Sequence, residues 1–171
     1  MNRNWNKDWR KSIIVMSGGF DPIHKGHLRM FREASWLGHH VVVGLNSDDW
    51  LTRKKGKPFM EFEERKEIIE GFKYVNQVIP FDDSDDTASD LIRRVHSIYD
   101  GEEFDHQYKD DEHMGMVDYY QIYFANGGDR GKGNVPELDV CKELGVTMLW
   151  GVGGGKIQSS SWLINGGKDE L

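Results

Sequence analysis

Two histidines three residues apart form the centre of the first segment that could do chemistry, residues 18–27. The segment follows an apolar run at residues 12–16, which predicts a strand, and it leads into a pattern that predicts a helix. A turn from a strand into a helix lies at the carboxyl edge of a parallel sheet, and the first helical turn presents backbone N–H groups to an anion. His24 and His27 can both donate hydrogen bonds to phosphate oxygens. The segment therefore predicts a phosphate site.

A zinc site is the alternative interpretation of the two histidines. Zinc sites use three or four protein ligands, and no third or fourth ligand clusters near residues 18–27. His39 and His40 belong more naturally to the start of the second predicted strand. The sequence therefore favours phosphate, and we predict no protein-bound metal.

A basic segment follows the second predicted strand. Residues 46–58 include Arg53, Lys54, Lys55 and Lys57. Such a run by itself is typical of a solvated face. Because this segment should lie over the same sheet edge as residues 18–27, it can also supply the local positive field that an acidic chain needs to bind a triphosphate.

A glycine-rich stretch at residues 151–155 leads into three consecutive serines, residues 159–161. Serine hydroxyls and free backbone amides at the start of a helix can hold phosphate oxygens. A serine that only caps its own helix is the alternative for any one of them. Three in a row after so many glycines favour a second phosphate-binding element.

Together these segments resemble the cytidylyltransferase-like nucleotidyltransferases. The signature of that family has the form G-x-F-D-x-x-H-x-G-H, and residues 18–27 match each of its fixed positions. Residues 46–58 and Arg65 are similar to the family's Asn-Ser-Asp triplet, basic loop and Glu-x-Arg helix start. Residues 126–130 resemble its Gly-Asp element, although an ordinary turn explains the same letters. The resemblance covers most of residues 12–165.

The resemblance implies that a nucleoside monophosphate is transferred from CTP or ATP to a small phosphorylated metabolite, with release of pyrophosphate. Mg²⁺ is expected to arrive with the triphosphate. The implied catalytic residues are His24, His27, Lys57 and Arg65, with Lys54 as the alternative loop lysine. The implied nucleotide-binding residues are Gly19, Phe20, Asp21, Gly26, Lys54, Gly128, Asp129, Ser159, Ser160 and Ser161, and the implied acceptor-binding residues are Asp48 and Arg130.

The sequence leaves the identity of the nucleotide open. Residues 46–58 resemble the adenylyltransferases that make ADP-activated heptoses, whereas residues 74–80 resemble a strand of the cytidylyltransferases for glycerol phosphate and phosphoethanolamine. A non-catalytic nucleotide sensor of the same fold is the alternative function. The presence of His24, His27 and Arg65 argues against that alternative.

The elements that must position these residues alternate short apolar runs with longer amphipathic stretches, which is typical of βαβ units. We therefore predict an α/β fold, a Rossmann-like three-layer sandwich with a mainly parallel five-stranded sheet, as one nucleotidyltransferase domain over residues 1–171. An acidic, aperiodic stretch at residues 99–118 predicts an insertion that could cover the acceptor. Strands are predicted at residues 12–16, 40–45, 77–80, 120–125 and 146–150, and helices at residues 28–37, 61–72, 87–98 and 136–144.

The composition limits the partners of the chain. With 171 residues and 37% hydrophobic content it can bury one core, and no apolar run reaches the length of a membrane span. A net charge of −7 argues against nucleic acid as a partner. The lone Cys141 and the lack of a visible export signal predict a cytoplasmic protein, in which residues 168–171 match a retention signal by coincidence. The resemblance also allows a homodimer.

Overall fold

A five-stranded parallel sheet organises the computed structural model, which describes residues 11–99, 120–127 and 135–166. The strands are β1 (Lys11–Gly18), β2 (His40–Leu45), β3 (Gln77–Pro80), β4 (Tyr120–Gly127) and β5 (Thr147–Val152). The helices are α1 (Lys25–Leu37), α2 (Asp48–Lys55), α3 (Phe62–Glu70), α4 (Ser89–Tyr99), α5 (Leu138–Leu144) and α6 (Ser160–Ile164). The strand order is β3-β2-β1-β4-β5, with every neighbouring pair parallel.

The central strand, β1, is apolar because helices cover both faces of the sheet. Successive side chains of a strand point to opposite faces. Ile13 and Val15 therefore belong to one core cluster, with residues of α4 and α5, while Ile14 and Met16 belong to another, with residues of α1 and α3. These four side chains are at most 1% exposed. The result is the predicted three-layer α/β sandwich.

The order of the strands places a crevice beside β1. The chain proceeds outward from β1 to β2 and β3, then returns to the other side of β1 to form β4 and β5. In a sheet of this kind ligands bind at the carboxyl ends of the strands, where the direction of winding reverses. The loop after β1 and the carboxyl end of β4 therefore flank the expected site.

Helix α2 is the main difference from the predicted elements, because the sequence predicts a loop over residues 46–58. The Ser47 hydroxyl accepts a hydrogen bond from Trp50 N and caps the helix. Acidic residues in its first turn and basic residues in its last turn match the helix dipole. With eight residues and one buried side chain, Leu51, the helix is too short for hydrophobic periodicity to reveal. The other predicted boundaries fall within three residues of the observed ones.

Three further predictions concern the insertion, the single cysteine and the absence of a membrane span. Apart from Tyr99, which ends α4, the predicted insertion at residues 99–118 lies outside the described residues. Cys141 on α5 is 2% exposed, and burial raises the pKa of its thiol to about 11, so the thiol stays protonated. In the described part of the chain, no helix is both long and apolar enough to cross a bilayer.

Candidate active site

A cavity of about 320 Å³ opens at the carboxyl ends of β1, β4 and β5, beside the first turn of α1. Its wall comes from three parts of the chain that are far apart in sequence. The lining residues are 17–20, 24, 26, 27, 30, 125–127 and 152–160. The histidine-containing turn and the glycine-serine stretch, which the sequence assigns to phosphate, therefore share one cavity.

His24 and His27 cap the first turn of α1 through one nitrogen each. Gly26 N donates to His24 Nδ1 at 3.0 Å, and His24 N donates to His27 Nδ1 at 3.3 Å. Because each Nδ1 accepts a backbone N–H, it carries no proton, and the proton of the neutral ring is on Nε2. The two rings stack with their centroids 3.7 Å apart. The helix start thus fixes two Nε2–H donors side by side in residues that line the cavity.

Both imidazoles are neutral at pH 7. Burial lowers the pKa of His27 to about 3, with smaller contributions from His24 and Lys55. Burial also lowers the pKa of His24, again with a contribution from Lys55. The pair therefore supplies hydrogen-bond donors rather than fixed positive charge.

The loop between β1 and α1 is held by Phe20 and Asp21. The buried Phe20 ring packs edge-on against His27 with 4.9 Å between the ring centroids, which restrains the imidazole plane. The Asp21 carboxylate, 1% exposed, accepts hydrogen bonds from Phe59 N and Met60 N, both at 2.7 Å. Phe20 lines the cavity and Asp21 does not. Asp21 therefore holds the geometry of the loop, and its contact with the nucleotide stays a prediction.

Lys55, the last residue of α2, is the lysine whose charge influences the pKa values of the histidine pair. Its Nζ donates to Asp21 O at 2.6 Å. Its charge contributes to the lowered pKa values of both His24 and His27. Partial desolvation lowers the pKa of Lys55 itself. The positive charge of Lys55 is therefore near enough to act electrostatically on both histidines.

The two lysines selected from the sequence lie elsewhere. Lys54 pairs with Asp86 at 3.3 Å, and Lys57 is exposed beyond the end of α2. Of these neighbouring lysines, Lys55 is the one whose charge acts on the histidine pair, and the catalytic roles predicted for Lys54 and Lys57 stay predictions. Helical spacing would have shown this, because Lys55 is four residues after the buried Leu51 and shares its face of α2.

Arg65 is fully buried and holds the backbone around the cavity. Its guanidinium donates to Gly19 O at 2.7 Å, to Asn46 O at 2.9 Å and to Met60 O at 3.0 Å. It also pairs with Asp48 at 2.6 Å. These bonds use four of the five N–H donors of an arginine side chain. The predicted contact of Arg65 with the transferring phosphate is therefore corrected, because the buried guanidinium uses its donors to position the loops. The predicted contact of Asp48 with the acceptor stays a prediction, since its side chain is 38% exposed.

The glycine-rich turn after β5 approaches α1 too closely for side chains. A Cβ on Gly153 would lie 3.1 Å from Met30 Cβ, and a Cβ on Gly154 would overlap the Arg29 guanidinium. Both glycines have positive φ, +88° and +66°, a region that L side chains rarely adopt. Glu33 Oε2 accepts a hydrogen bond from Gly153 N at 2.7 Å. The turn is therefore pinned to α1 at the wall of the cavity.

The serines at the start of α6 make local hydrogen bonds. Ser159 Oγ accepts from Trp162 N at 3.2 Å, so Ser159 caps the helix as the alternative interpretation expects. Ser160 Oγ donates to Pro22 O at 2.8 Å. Ser159 and Ser160 line the cavity, whereas Ser161, whose hydroxyl is 3.0 Å from that of Ser159, does not. A hydroxyl that accepts one bond can still donate another, so the Ser159 hydroxyl has a donor for a ligand when Ser161 donates to it.

The remaining predicted residues divide into two groups. Gly19 and Gly26 line the cavity. Gly128, Asp129 and Arg130 lie outside the described residues. Over the ranges that the structure describes, no group of three or more His, Cys, Asp or Glu side chains could hold a metal ion.

Comparison of the chain with curated proteins finds a cytidylyltransferase and a bifunctional protein among its relatives. The chain is 33% identical over 79 residues to glycerol-3-phosphate cytidylyltransferase from Bacillus subtilis, covering 46% of this chain and 61% of that protein. It is 32% identical over 121 residues to the bifunctional protein HldE from Haemophilus influenzae, covering 70% of this chain and 24% of that protein. The chain thus spans less than two thirds of the length of either relative.

Solved structures share the fold. The lipopolysaccharide core biosynthesis protein from Thermoplasma volcanium has a TM-score of 0.55 at 22% identity, over 82% of this chain and 93% of that one. A putative nicotinate-nucleotide adenylyltransferase from Vibrio parahaemolyticus has a TM-score of 0.56 at 16% identity, over 92% of this chain and 90% of that one. The family model described as cytidylyltransferase-like matches residues 15–132, which include the histidine turn and Lys55. The chain therefore belongs to the cytidylyltransferase-like family.

Proposed function

We propose that the chain is a nucleotidyltransferase that moves a nucleoside monophosphate from CTP or ATP to a small phosphorylated metabolite and releases pyrophosphate. The observation that carries the proposal is the pair of Nε2–H donors that His24 and His27 hold at the wall of the cavity. The N-terminus of α1 adds the partial positive charge of the helix dipole. These features favour a polyphosphate ligand, and family membership supports the reaction class.

The proposed reaction needs little covalent chemistry from the protein. An oxygen of the acceptor phosphate attacks the α-phosphorus and forms a new P–O bond. The bond from the α-phosphorus to the bridging oxygen breaks, and its electron pair leaves with pyrophosphate. A phosphate monoester is already largely ionised at neutral pH, so the attacking oxygen needs no general base. The protein has to align the two substrates and stabilise negative charge.

Neutral histidines suit this task. In the proposed complex each Nε2–H donates to a phosphate oxygen as charge develops, without having to lose its proton. Lys55, held at Asp21 O, adds a positive charge nearby. Because the caps and the stacking fix the rings before a ligand binds, little reorganisation is needed at the moment of reaction.

Mg²⁺ belongs to the proposal as the counter-ion of the triphosphate. No Asp or Glu is among the described residues that line the cavity. Oxygens of the triphosphate and water would therefore supply its ligands, as magnesium commonly allows. When bound, the ion would neutralise part of the phosphate charge, and the protein donors would act on the remainder.

The names of two relatives favour CTP and a phosphorylated alcohol. One is the glycerol-3-phosphate cytidylyltransferase of Bacillus subtilis. The other is a probable ethanolamine-phosphate cytidylyltransferase from Encephalitozoon cuniculi, 40% identical over 66 residues, covering 39% of this chain and 20% of that protein. We therefore propose CTP ahead of ATP, and a phosphorylated polyol, amino alcohol or sugar as the acceptor.

The test is a panel of the four ribonucleoside triphosphates, each combined with glycerol 3-phosphate, ethanolamine phosphate or a sugar phosphate, with pyrophosphate release as the readout. We expect release to depend on both a preferred nucleotide and an acceptor. The double variant His24→Asn, His27→Asn is the matched control, because each Asn Oδ1 can replace Nδ1 in the caps while Nε2 is lost. Nucleotide binding without pyrophosphate release in any combination would favour the nucleotide sensor instead.

A further inference from the structure

The cavity carries little fixed positive charge for a ligand as anionic as a nucleoside triphosphate. Among the described residues that line the cavity, Lys156 is the one lysine or arginine. His24 and His27 contribute no charge at pH 7, because burial lowers both pKa values. Lys55 contributes one charge from the Asp21 loop. In a chain with a net charge of −7, tight binding of three phosphates calls for a further cation close by.

Arg29 is placed at the rim of this cavity. It lies in the second turn of α1, one residue before Met30 and three residues after Gly26, both of which line the cavity. Helical side chains lean toward the N-terminus of their helix, which here is the end at the cavity. The Arg29 guanidinium contacts Gly154, another lining residue, where an added Cβ would be 3.1 Å from Arg29 Cζ. The side chain is 32% exposed.

The guanidinium has unused donors. Arg29 Nε donates to Glu33 Oε1 at 3.4 Å, and in the described ranges no acceptor contacts Nη1 or Nη2. A single, long and partly exposed ion pair of this kind is weak. Phosphate offers the planar guanidinium two parallel charge-assisted hydrogen bonds, which are stronger. Arg29 can therefore bind a phosphate without breaking a strong internal contact.

We propose that Arg29 binds the terminal phosphate of the nucleoside triphosphate, with Nη1 and Nη2 as donors and with Gly154 leaving room for the guanidinium. Glu33 contacts both Arg29 and the glycine turn, since one of its carboxylate oxygens accepts from Arg29 Nε and the other accepts from Gly153 N at 2.7 Å. The inference rests on the proposed function, because it assigns a further residue to the same nucleotide site. A nucleoside monophosphate lacks the terminal phosphate, so Arg29 should not contribute to its binding.

The proposal is tested by calorimetric titration in the presence of Mg²⁺. The wild type and Arg29→Gln are each titrated with inorganic tripolyphosphate, CTP and CMP. We expect Arg29→Gln to weaken tripolyphosphate and CTP binding by roughly 10- to 100-fold, the range for lost hydrogen bonds to a charged group, while CMP binding stays within about twofold. Arg29→Lys keeps the positive charge but lacks the two parallel donors of the guanidinium, so its affinity for tripolyphosphate and CTP should lie between those of the wild type and Arg29→Gln. Arg32→Gln is the matched control, because Arg32 is exposed one turn later on α1 with its guanidinium 5.5 Å from the Trp36 ring centroid.

Three results would overturn the proposal. The first is unchanged tripolyphosphate binding by Arg29→Gln, and the second is wild-type protein that does not bind tripolyphosphate. The third is equal weakening of CTP and CMP binding, since Arg29 would then act only by supporting the glycine turn. Thermal unfolding of each variant checks that it is folded. Tripolyphosphate binding that depends on Arg29, in a protein that releases no pyrophosphate, would keep this inference and reject the proposed function.

Discussion

In each imidazole of the pair, one nitrogen stabilises the helix and the other is available to a ligand. The Nδ1 atoms of His24 and His27 complete the first turn of α1, and the Nε2 atoms are left for a ligand. Because the two nitrogens of one ring have different tasks, single substitutions can separate helix stability from catalysis. Asparagine places an oxygen near the position of Nδ1, whereas glutamine places its amide near the position of Nε2.

His27→Asn should therefore keep the fold and lose the reaction. We expect kcat to fall by about 10²- to 10³-fold, the typical cost of removing one preorganised donor, with a change in melting temperature smaller than that caused by His27→Ala. His27→Gln should retain more activity than His27→Asn. Steady-state kinetics and thermal unfolding measure both effects, and a wild-type kcat for His27→Asn would remove His27 from the catalytic assignment.

Lys55 should matter more than its basic neighbours. Lys55→Met removes the charge next to the histidine pair and should lower kcat/KM by roughly 10- to 100-fold, as expected when a charged donor is lost. Lys57→Met, two residues away and exposed, is the matched control and should change kcat/KM by less than about twofold. The reverse order of the two effects would favour the assignment made from the sequence.

Sequence spacing revealed the histidines because their contacts are local, within three residues of each other. The roles of Arg65 and Lys55 depend on partners distant in sequence. Arg65 bonds Gly19 O, which is 46 residues away, and Lys55 bonds Asp21 O, which is 34 residues away. A motif match places such residues near a site, but only the folded backbone shows whether they face the ligand or hold a loop.

At the scale of elements, α2 is positioned by the loop after β3. The Asp83 carboxylate accepts hydrogen bonds from Ser47 N and Ser47 Oγ, both at 2.7 Å, and from Asn46 Nδ2 at 3.0 Å. Arg53 on α2 donates to Asp83 O at 2.7 Å. These contacts fix both the start of α2 and its direction. The end of β3 thus determines where α2 delivers Lys55.

The start of α6 allows a test of whether serines serve the helix or the ligand. Ser159→Ala with Ser160→Ala removes the cap on Trp162 N and the bond to Pro22 O. We expect the free energy of unfolding to fall by about 1 kcal/mol for the cap, and the apparent dissociation constant of the triphosphate to rise as well. The loss of stability with unchanged nucleotide binding would show that these serines act only on their own helix.

The sheet was predictable from the sequence because its strands are buried on both faces and appear as continuous apolar runs. The run at residues 12–16 corresponds to β1, and the run at residues 40–45 corresponds to β2. Helix α2 was missed because its stability comes from a Ser47 cap and charged ends rather than from an apolar face. Periodicity detects buried faces and does not detect caps.

For the whole molecule, the buried neutral histidines predict a pH dependence of stability. The pKa of His27 is about 3 in the folded protein, against an ordinary value of 6.5. Between these values the unfolded chain binds a proton that the folded chain does not. The free energy of unfolding should therefore fall as pH decreases below about 6.5, by up to about 1.4 kcal/mol per pH unit for one such group. The lowered pKa of His24 acts in the same direction.

Urea unfolding of the wild type and His27→Asn, between about pH 7 and pH 5, measures this dependence. The wild type should lose stability more steeply than the variant, since Asn does not titrate. Carboxylates contribute to both proteins alike and cancel in the comparison. Identical slopes would mean that His27 is not held neutral by burial.

The central claim, transfer of a nucleoside monophosphate to a phosphorylated acceptor, is tested most directly by following both ends of the triphosphate. The wild type is incubated with the preferred nucleotide and acceptor from the panel, labelled in one reaction at the α-phosphate and in a parallel one at the γ-phosphate. The account predicts that the α label appears in a covalent adduct with the acceptor and the γ label in pyrophosphate, with neither product formed by His24→Asn, His27→Asn. Recovery of the γ label as inorganic phosphate or on the acceptor, with the α label left in a nucleoside diphosphate, would contradict it.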